Sequence, residues 1–317
     1  MNIVRCAHSF NRWSISNPHY SKVYELIGSP RPFDVTLFDA MFFLNNSQSP
    51  LLNTNKKIQY YHDIITEYKP ENIEIGLIAC KKTYPIFKDT IKFNKSIIEY
   101  NLNMNLLCQD YMPNCFITIP NEYQFNNVFH ENTSIQNFSF ITSISKSFQF
   151  KNTKMTLSDS FKDINNMLAR IDDSKNNFGS KLYVSCINEC PIDGKMNNDY
   201  VVDRLIELIQ LKADIICLSD TCGTLHNKDF KYIIQKTLKN GINPKKLCLH
   251  MYVDPNCEKN TEKIFHIALD HGINNFNVSA FNFDGFLNNA KNSNIFPTLQ
   301  YELYYKFLQS YIIGKSD

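Results

Sequence analysis

Side chains able to move protons or hold a charged ligand fall within or at the ends of short apolar runs. Asp39 follows Phe33-Asp-Val-Thr-Leu-Phe, Glu74 lies inside Asn72-Ile-Glu-Ile-Gly-Leu-Ile-Ala, and Asp220 ends Ile215-Ile-Cys-Leu-Ser-Asp beside Thr221. His250 and Tyr252 end Lys246-Leu-Cys-Leu-His-Met-Tyr. Carboxylates, an imidazole and a phenol brought together can act as general acids and bases. Tyr252 stands two residues after His250, so a strand would present both on one face. Asp39, Glu74, Asp220, His250 and Tyr252 are therefore expected to share a pocket, with Cys186 and Thr221 on the same rim. Two bland readings stand beside this one. Glu74, flanked by Ile73 and Ile75, is either paired inside a core or turned to a ligand. His250 is either a site residue or a core imidazole with local hydrogen bonds.

Positioning these groups at one rim requires buried strands that all point the same way. Eight runs qualify, at 34–38, 72–79, 115–119, 137–144, 182–187, 214–220, 246–252 and 275–281. Segments 55–68, 86–100, 121–130, 158–170, 199–211, 228–240 and 258–272 between them carry helical apolar spacing or helix-length polarity, and Gly241 and Gly272 suit helix C-caps. Residues 103–107 read as a weak extended segment, and 145–156 as a polar loop with Lys146, Lys151 and Lys154. Those lysines either meet phosphate or are simply solvated. Eight strands alternating with helices predict an α/β fold, a single-domain TIM (β/α)8 barrel over 33–317, with an N-terminal extension over 1–32. Tyr301, Leu303, Tyr304, Phe307 and Leu308 predict a last helix shielding the barrel.

Composition narrows the function classes. Lys plus Arg at 33 against Asp plus Glu at 31 gives a net charge of +2, so no nucleic-acid partner is expected. The ten cysteines form no C-x-x-C pair and several sit inside apolar runs, which predicts buried thiols in a reducing, cytoplasmic setting. No apolar run reaches membrane-spanning length, so no membrane insertion is expected.

The motif Tyr183-Val-Ser-Cys-Ile-Asn-Glu-Cys-Pro-Ile-Asp-Gly-Lys195 resembles the fifth-strand region of 3-hydroxy-3-methylglutaryl-CoA lyase, within the TIM-barrel metal-dependent aldol-type lyases and carboxylate synthases. Leu218-Ser-Asp-Thr-Cys-Gly223 resembles that family's Asp-Thr-x-Gly turn, and His250, Asp34–Asp39, Glu74 and the Ser145–Asn152 stretch continue the likeness in order. The resemblance implies Asp39 and His250 as metal ligands, Glu74 and Asp220 as catalytic groups, and Ser145, Lys151, Asn152, Thr221 and Tyr252 as substrate contacts. It implies Mg2+ or Mn2+, an acyl-CoA or small carboxylate ligand, and retro-aldol cleavage; a homodimer is compatible with it.

The departures from the family fall where the chemistry would be. Phe38-Asp39-Ala40 replaces the family's Arg-Asp-Gly, and His250-Met-Tyr252 replaces His-x-His. The family's last loop, with its asparagine ligand and reactive cysteine, has no counterpart in 279–294. The divalent ion is accordingly expected to be weakly held or absent. Three readings follow: a lyase-like protein with impaired or lost activity, an active metal-dependent carbon–carbon lyase on another acyl-CoA or carboxylate, and a non-catalytic structural or protein-binding barrel.

Overall fold

Strands form where β-branched and aromatic residues can be buried on both faces, and those of the barrel pair in parallel, apart from a short antiparallel hairpin between Glu189–Cys190 and Gly194–Lys195. A computed structural model describes residues 30–41, 52–78, 84–105, 112–130, 134–174, 177–281 and 296–316. Its strands are β1 (Arg31–Asp34), β2 (Asn72–Leu77), β3 (Asn114–Ile119), β4 (Asn137–Ser143), β5 (Gly179–Ser185), β6 (Ile215–Asp220), β7 (Leu247–Met251) and β8 (Asn275–Val278). Each pairs with its sequence neighbour, and β1 pairs with β8 to close the barrel. The fold is therefore a TIM (β/α)8 barrel.

Nine α-helices are described: α1 (Thr54–Glu67), α2 (Thr90–Asn105), α3 (Glu122–His130), α4 (Lys146–Thr153), α5 (Leu157–Asp172), α6 (Asn198–Ile209), α7 (Asn227–Leu238), α8 (Glu258–Asp270) and α9 (Tyr301–Ser316). Their apolar stripes pack on the outside of the barrel in one continuous core. Inside the barrel, Phe33, Val35 and Phe116 form a small apolar plug, with the Phe33 and Phe116 rings 5.1 Å apart. The side chains beyond that plug, toward the C-terminal strand ends, are largely polar.

Several boundaries differ from expectation. The first strand is 31–34, not 34–38, because the Asp34 carboxylate accepts hydrogen bonds from Thr36 N at 2.9 Å and Thr36 Oγ1 at 3.1 Å and bends the chain into a π-helical turn, Thr36–Ala40. Asp39 thus rides on that turn. The fifth strand starts earlier, at Gly179, and the segment at 103–107 continues α2 as far as Asn105, with 106–111 outside the described residues. The polar loop at 145–156 contains a helix, α4, capped by the Ser145 hydroxyl and ended by left-handed Lys154. Its few apolar residues left no periodic signal to read. Residues 1–29 of the expected 1–32 extension and most of the loop at 279–294 lie outside the described residues, and Arg31 and Pro32 belong to β1. No described helix is long and apolar enough to cross a membrane.

Helix α5 starts from a capping box in which Thr156 and Asp159 satisfy each other's backbone N–H groups. Thr156→Ala is expected to cost about 1 kcal/mol of stability, measured by urea denaturation. Thr156→Ser should be nearly silent.

Candidate functional site

The polar interior begins at Glu74. This carboxylate is fully buried and accepts hydrogen bonds from Thr118 Oγ1 (2.8 Å), Ser139 Oγ (2.7 Å) and Tyr183 OH (3.1 Å), so strands β2 to β5 all converge on it. Burial raises its pKa, against the opposing pull of Lys181 and the three hydroxyls. A break in register in β2 lies just beyond it, around Gly76, whose φ of +154° is glycine territory. A Cβ there would meet Thr90 Oγ1 at 3.0 Å.

Lys181, also fully buried, donates to Tyr183 OH at 2.9 Å and to Asn277 Oδ1 at 3.0 Å. Its Nζ lies 3.2 Å from the Phe33 ring centroid and 4.3 Å from that of Tyr183. Burial keeps the Tyr183 phenol protonated, as its donation to Glu74 requires.

From Lys181 the network reaches the rim through Asn277. An ammonium has donors only, so Asn277 must turn its oxygen to Lys181 and its amide nitrogen toward His250 Nδ1, 3.0 Å away. Cys248 Sγ, 3.2 Å from the same oxygen, agrees with that orientation. His250 Nδ1 is therefore an acceptor, and the proton of the neutral ring sits on Nε2. Burial lowers the His250 pKa and favours this neutral form.

The Nε2 atom lies 3.9 Å from Asp39 Oδ1, too long for a hydrogen bond. Asp39 is satisfied otherwise, by Tyr252 OH at 3.0 Å and by a short contact from Thr298 Oγ1. Burial, reinforced by Asp39, pushes the Tyr252 pKa well above its ordinary value and keeps the phenol a donor. Phe38, half-buried, packs its ring 6.1 Å from Phe87 and 5.9 Å from Tyr183.

A divalent cation needs lone pairs directed at it, and a ligating histidine normally donates its other ring N–H to an acceptor. Here each Asp39 oxygen already accepts a hydroxyl hydrogen bond, and His250 Nδ1 faces an N–H donor, which leaves the proton rather than a lone pair on Nε2. Among the described residues no group of three His, Cys, Asp or Glu side chains is placed to hold a metal. This donor set does not fit the ion.

The other candidates lie around the rim in different roles. Asp220 accepts backbone N–H groups of Thr224 (3.2 Å) and Leu225 (2.9 Å) and so shapes the turn after β6, while burial raises its pKa to about 6. Thr221 Oγ1 accepts from Cys186 N at 2.7 Å. Ser145 caps α4 and donates to Asp193 Oδ2 at 2.7 Å, and Lys151 and Asn152 are exposed on α4. Glu74 thus reaches His250 through a relay, Asp39 and Tyr252 form a separate hydrogen-bonded pair beside it, and Ser145 and Asp220 serve local backbone structure. Sequence reasoning missed Lys181, Tyr183, Asn277 and Thr298. A lysine inside the run Lys181-Leu-Tyr-Val was the one available signal, since a strand buried on both faces carries a cation only if it is paired.

A closed eight-stranded parallel barrel surrounded by helices is the TIM-barrel architecture. The structure of hydroxymethylglutaryl-CoA lyase from Pseudomonas aeruginosa superposes with a TM-score of 0.71 at 17% identity, covering 90% of this chain and 86% of that one. HMG-CoA lyase from Brucella melitensis gives 0.71 at 15% identity, with 90% and 92% covered. An HMG-CoA lyase from Acinetobacter baumannii, in complex with coenzyme A and 3-methylmalate, gives 0.68 at 17%, with 92% and 90% covered. The barrel thus has the fold of these lyases. No protein-family model matches the sequence, and no curated protein matches it either.

Proposed function

We propose that this protein is a divergent HMG-CoA lyase-like barrel that has lost cleavage of 3-hydroxy-3-methylglutaryl-CoA. The observation that carries the reading is the state of Asp39, whose two oxygens each accept a hydroxyl hydrogen bond, one from Tyr252 and one from Thr298. Retro-aldol cleavage needs a base to take the hydroxyl proton and a positive group to stabilise the enolate that develops. At the position before Asp39 the chain has Phe38, an uncharged ring packed on Phe87 and Tyr183. His250 Nδ1 is committed to Asn277, and its protonated Nε2 is no base. Glu74 lies at the far end of the relay with three hydroxyl donors on it.

Loss of one such charge stabiliser costs about 10²–10³ in rate in a well-studied oxyanion site. Purified protein assayed for acetyl-CoA and acetoacetate, with saturating Mg2+ or Mn2+, is expected to give no product above background. Metal-dependent turnover abolished by His250→Ala would overturn the reading in favour of an active lyase. The coenzyme A complex of the Acinetobacter barrel makes an acyl-CoA the first ligand to test for retained binding.

A further inference from the structure

The rim is built as a closure. After β7 and β8 stop pairing at Leu249 and Phe276, the segment 296–300 inserts between their ends. Val253 N donates to Pro297 O (2.8 Å), Leu299 N to Met251 O (3.0 Å) and Ser279 N to Leu299 O (2.9 Å), and isolated bridges join Tyr252 to Thr298 and Ser279 to Gln300. Thr298 and Leu299 are buried. Phe296 lies over Gly223, where a Cβ would approach its ring to 2.9 Å and where φ is +68°, so the glycine leaves room for the strap. On this strap Thr298 reaches Asp39, and on β7's continuation Tyr252 reaches the other oxygen of the same carboxylate.

We infer that Tyr252, Asp39 and Thr298 form a metal-free clasp that ties the strap across the top of the barrel, and that Asn277, oriented by Lys181, holds His250 in the tautomer that keeps a cation out. The inference rests on the lyase-like reading of this site and states what the site has become. Two hydroxyls supply to the carboxylate the partners that a cation would otherwise supply, and they come from chain segments that the carboxylate then holds together. The His250 lone pair is turned inward to an amide N–H. Lys181 and Asn277 reach the rim only through His250, so toward it they are positioning residues.

The geometry makes a directional claim that a purely structural role would not. Tyr252→His removes the phenol and adds a nitrogen donor beside Asp39 and His250. Asn277→Asp then gives His250 Nδ1–H an acceptor and frees the Nε2 lone pair. The test is titration with Co2+, read by its visible absorption spectrum. The wild-type chain is expected to bind none, Tyr252→His to bind weakly, and the double variant to bind about 10–100-fold more tightly than Tyr252→His, the range typical of an outer-shell partner. Stoichiometric Co2+ binding by the wild type, lost in Asp39→Asn, would overturn the inference. So would a double variant that keeps the wild-type circular dichroism spectrum and gains no affinity over Tyr252→His.

A second measurement does not depend on those variants folding. Thr298→Val and Tyr252→Phe each remove one hydroxyl, and each is expected to lower the melting temperature by the same amount in EDTA and in Mn2+. Wild-type melting temperatures in both variants would overturn the clasp, and a melting temperature of the wild type raised by Mn2+ would overturn the metal-free assignment. These outcomes are separable from the functional reading. Cleavage without bound metal defeats that reading and leaves the clasp, whereas Co2+ binding without cleavage does the reverse.

Discussion

Lys181→Met is expected to destabilise the protein by about 3–5 kcal/mol, because it leaves the buried Glu74 carboxylate without its nearby cation. Its Nζ contacts the Tyr183 hydroxyl, the Asn277 amide oxygen and the Phe33 ring, so the substitution unpairs groups on β1, β5 and β8 at once. Glu74 depends on Lys181 through the shared phenol of Tyr183, which sits 2.9 Å from one and 3.1 Å from the other. Without the cation, burial drives the Glu74 pKa further upward. Removing both charges is a different matter, because a neutral pair of similar volume is often tolerated. Adding Glu74→Gln to Lys181→Met should therefore recover a large part of the loss. Urea denaturation of the wild type, both single variants and the double variant measures the coupling. Strictly additive losses would mean that the relay is not one unit.

Raising the pH is expected to weaken the fold through Asp34. This carboxylate is fully buried at the end of β1, and burial, only partly opposed by Thr36, raises its pKa from 3.8 to about 7. A carboxyl raised in the folded chain keeps its proton where the unfolded chain has lost it. Its contribution is fully present below the unfolded value and disappears as pH rises through about 7. At about 1.4 kcal/mol per pH unit, the gap corresponds to an upper limit on the order of 4 kcal/mol. Asp220, raised to about 6 mainly by burial, adds an effect of the same sign over a narrower window. Asp34→Asn keeps the shape and cannot titrate, so urea midpoints of this variant should fall less than those of the wild type between pH 4.5 and pH 8. Parallel curves for the two proteins would show that Asp34 is ionised throughout.

The barrel was legible in the order and length of the apolar runs. Eight apolar runs, each too short for a helix and each followed by helix-length spacing, leave little choice but parallel strands with crossover helices, and the run at 137–144 matched a strand at 137–143 almost to the residue. The sequence also marked Asp39, His250 and Tyr252 as rim residues, because strand periodicity and the position at a run's end are local properties. It could not place α4, whose polar faces carry no period, or the end of β1, where one carboxylate's bonds to Thr36 decide the bend. Which partners those rim residues take was decided only by tertiary contacts. Tyr252 and Thr298 meet on Asp39 from positions 213 and 259 residues away along the chain. The tautomer of His250 depends on Asn277, and Asn277 in turn on Lys181, 96 residues distant. Hydrogen-bond direction is set by which donor faces which acceptor across the barrel, and no spacing along one strand contains that information.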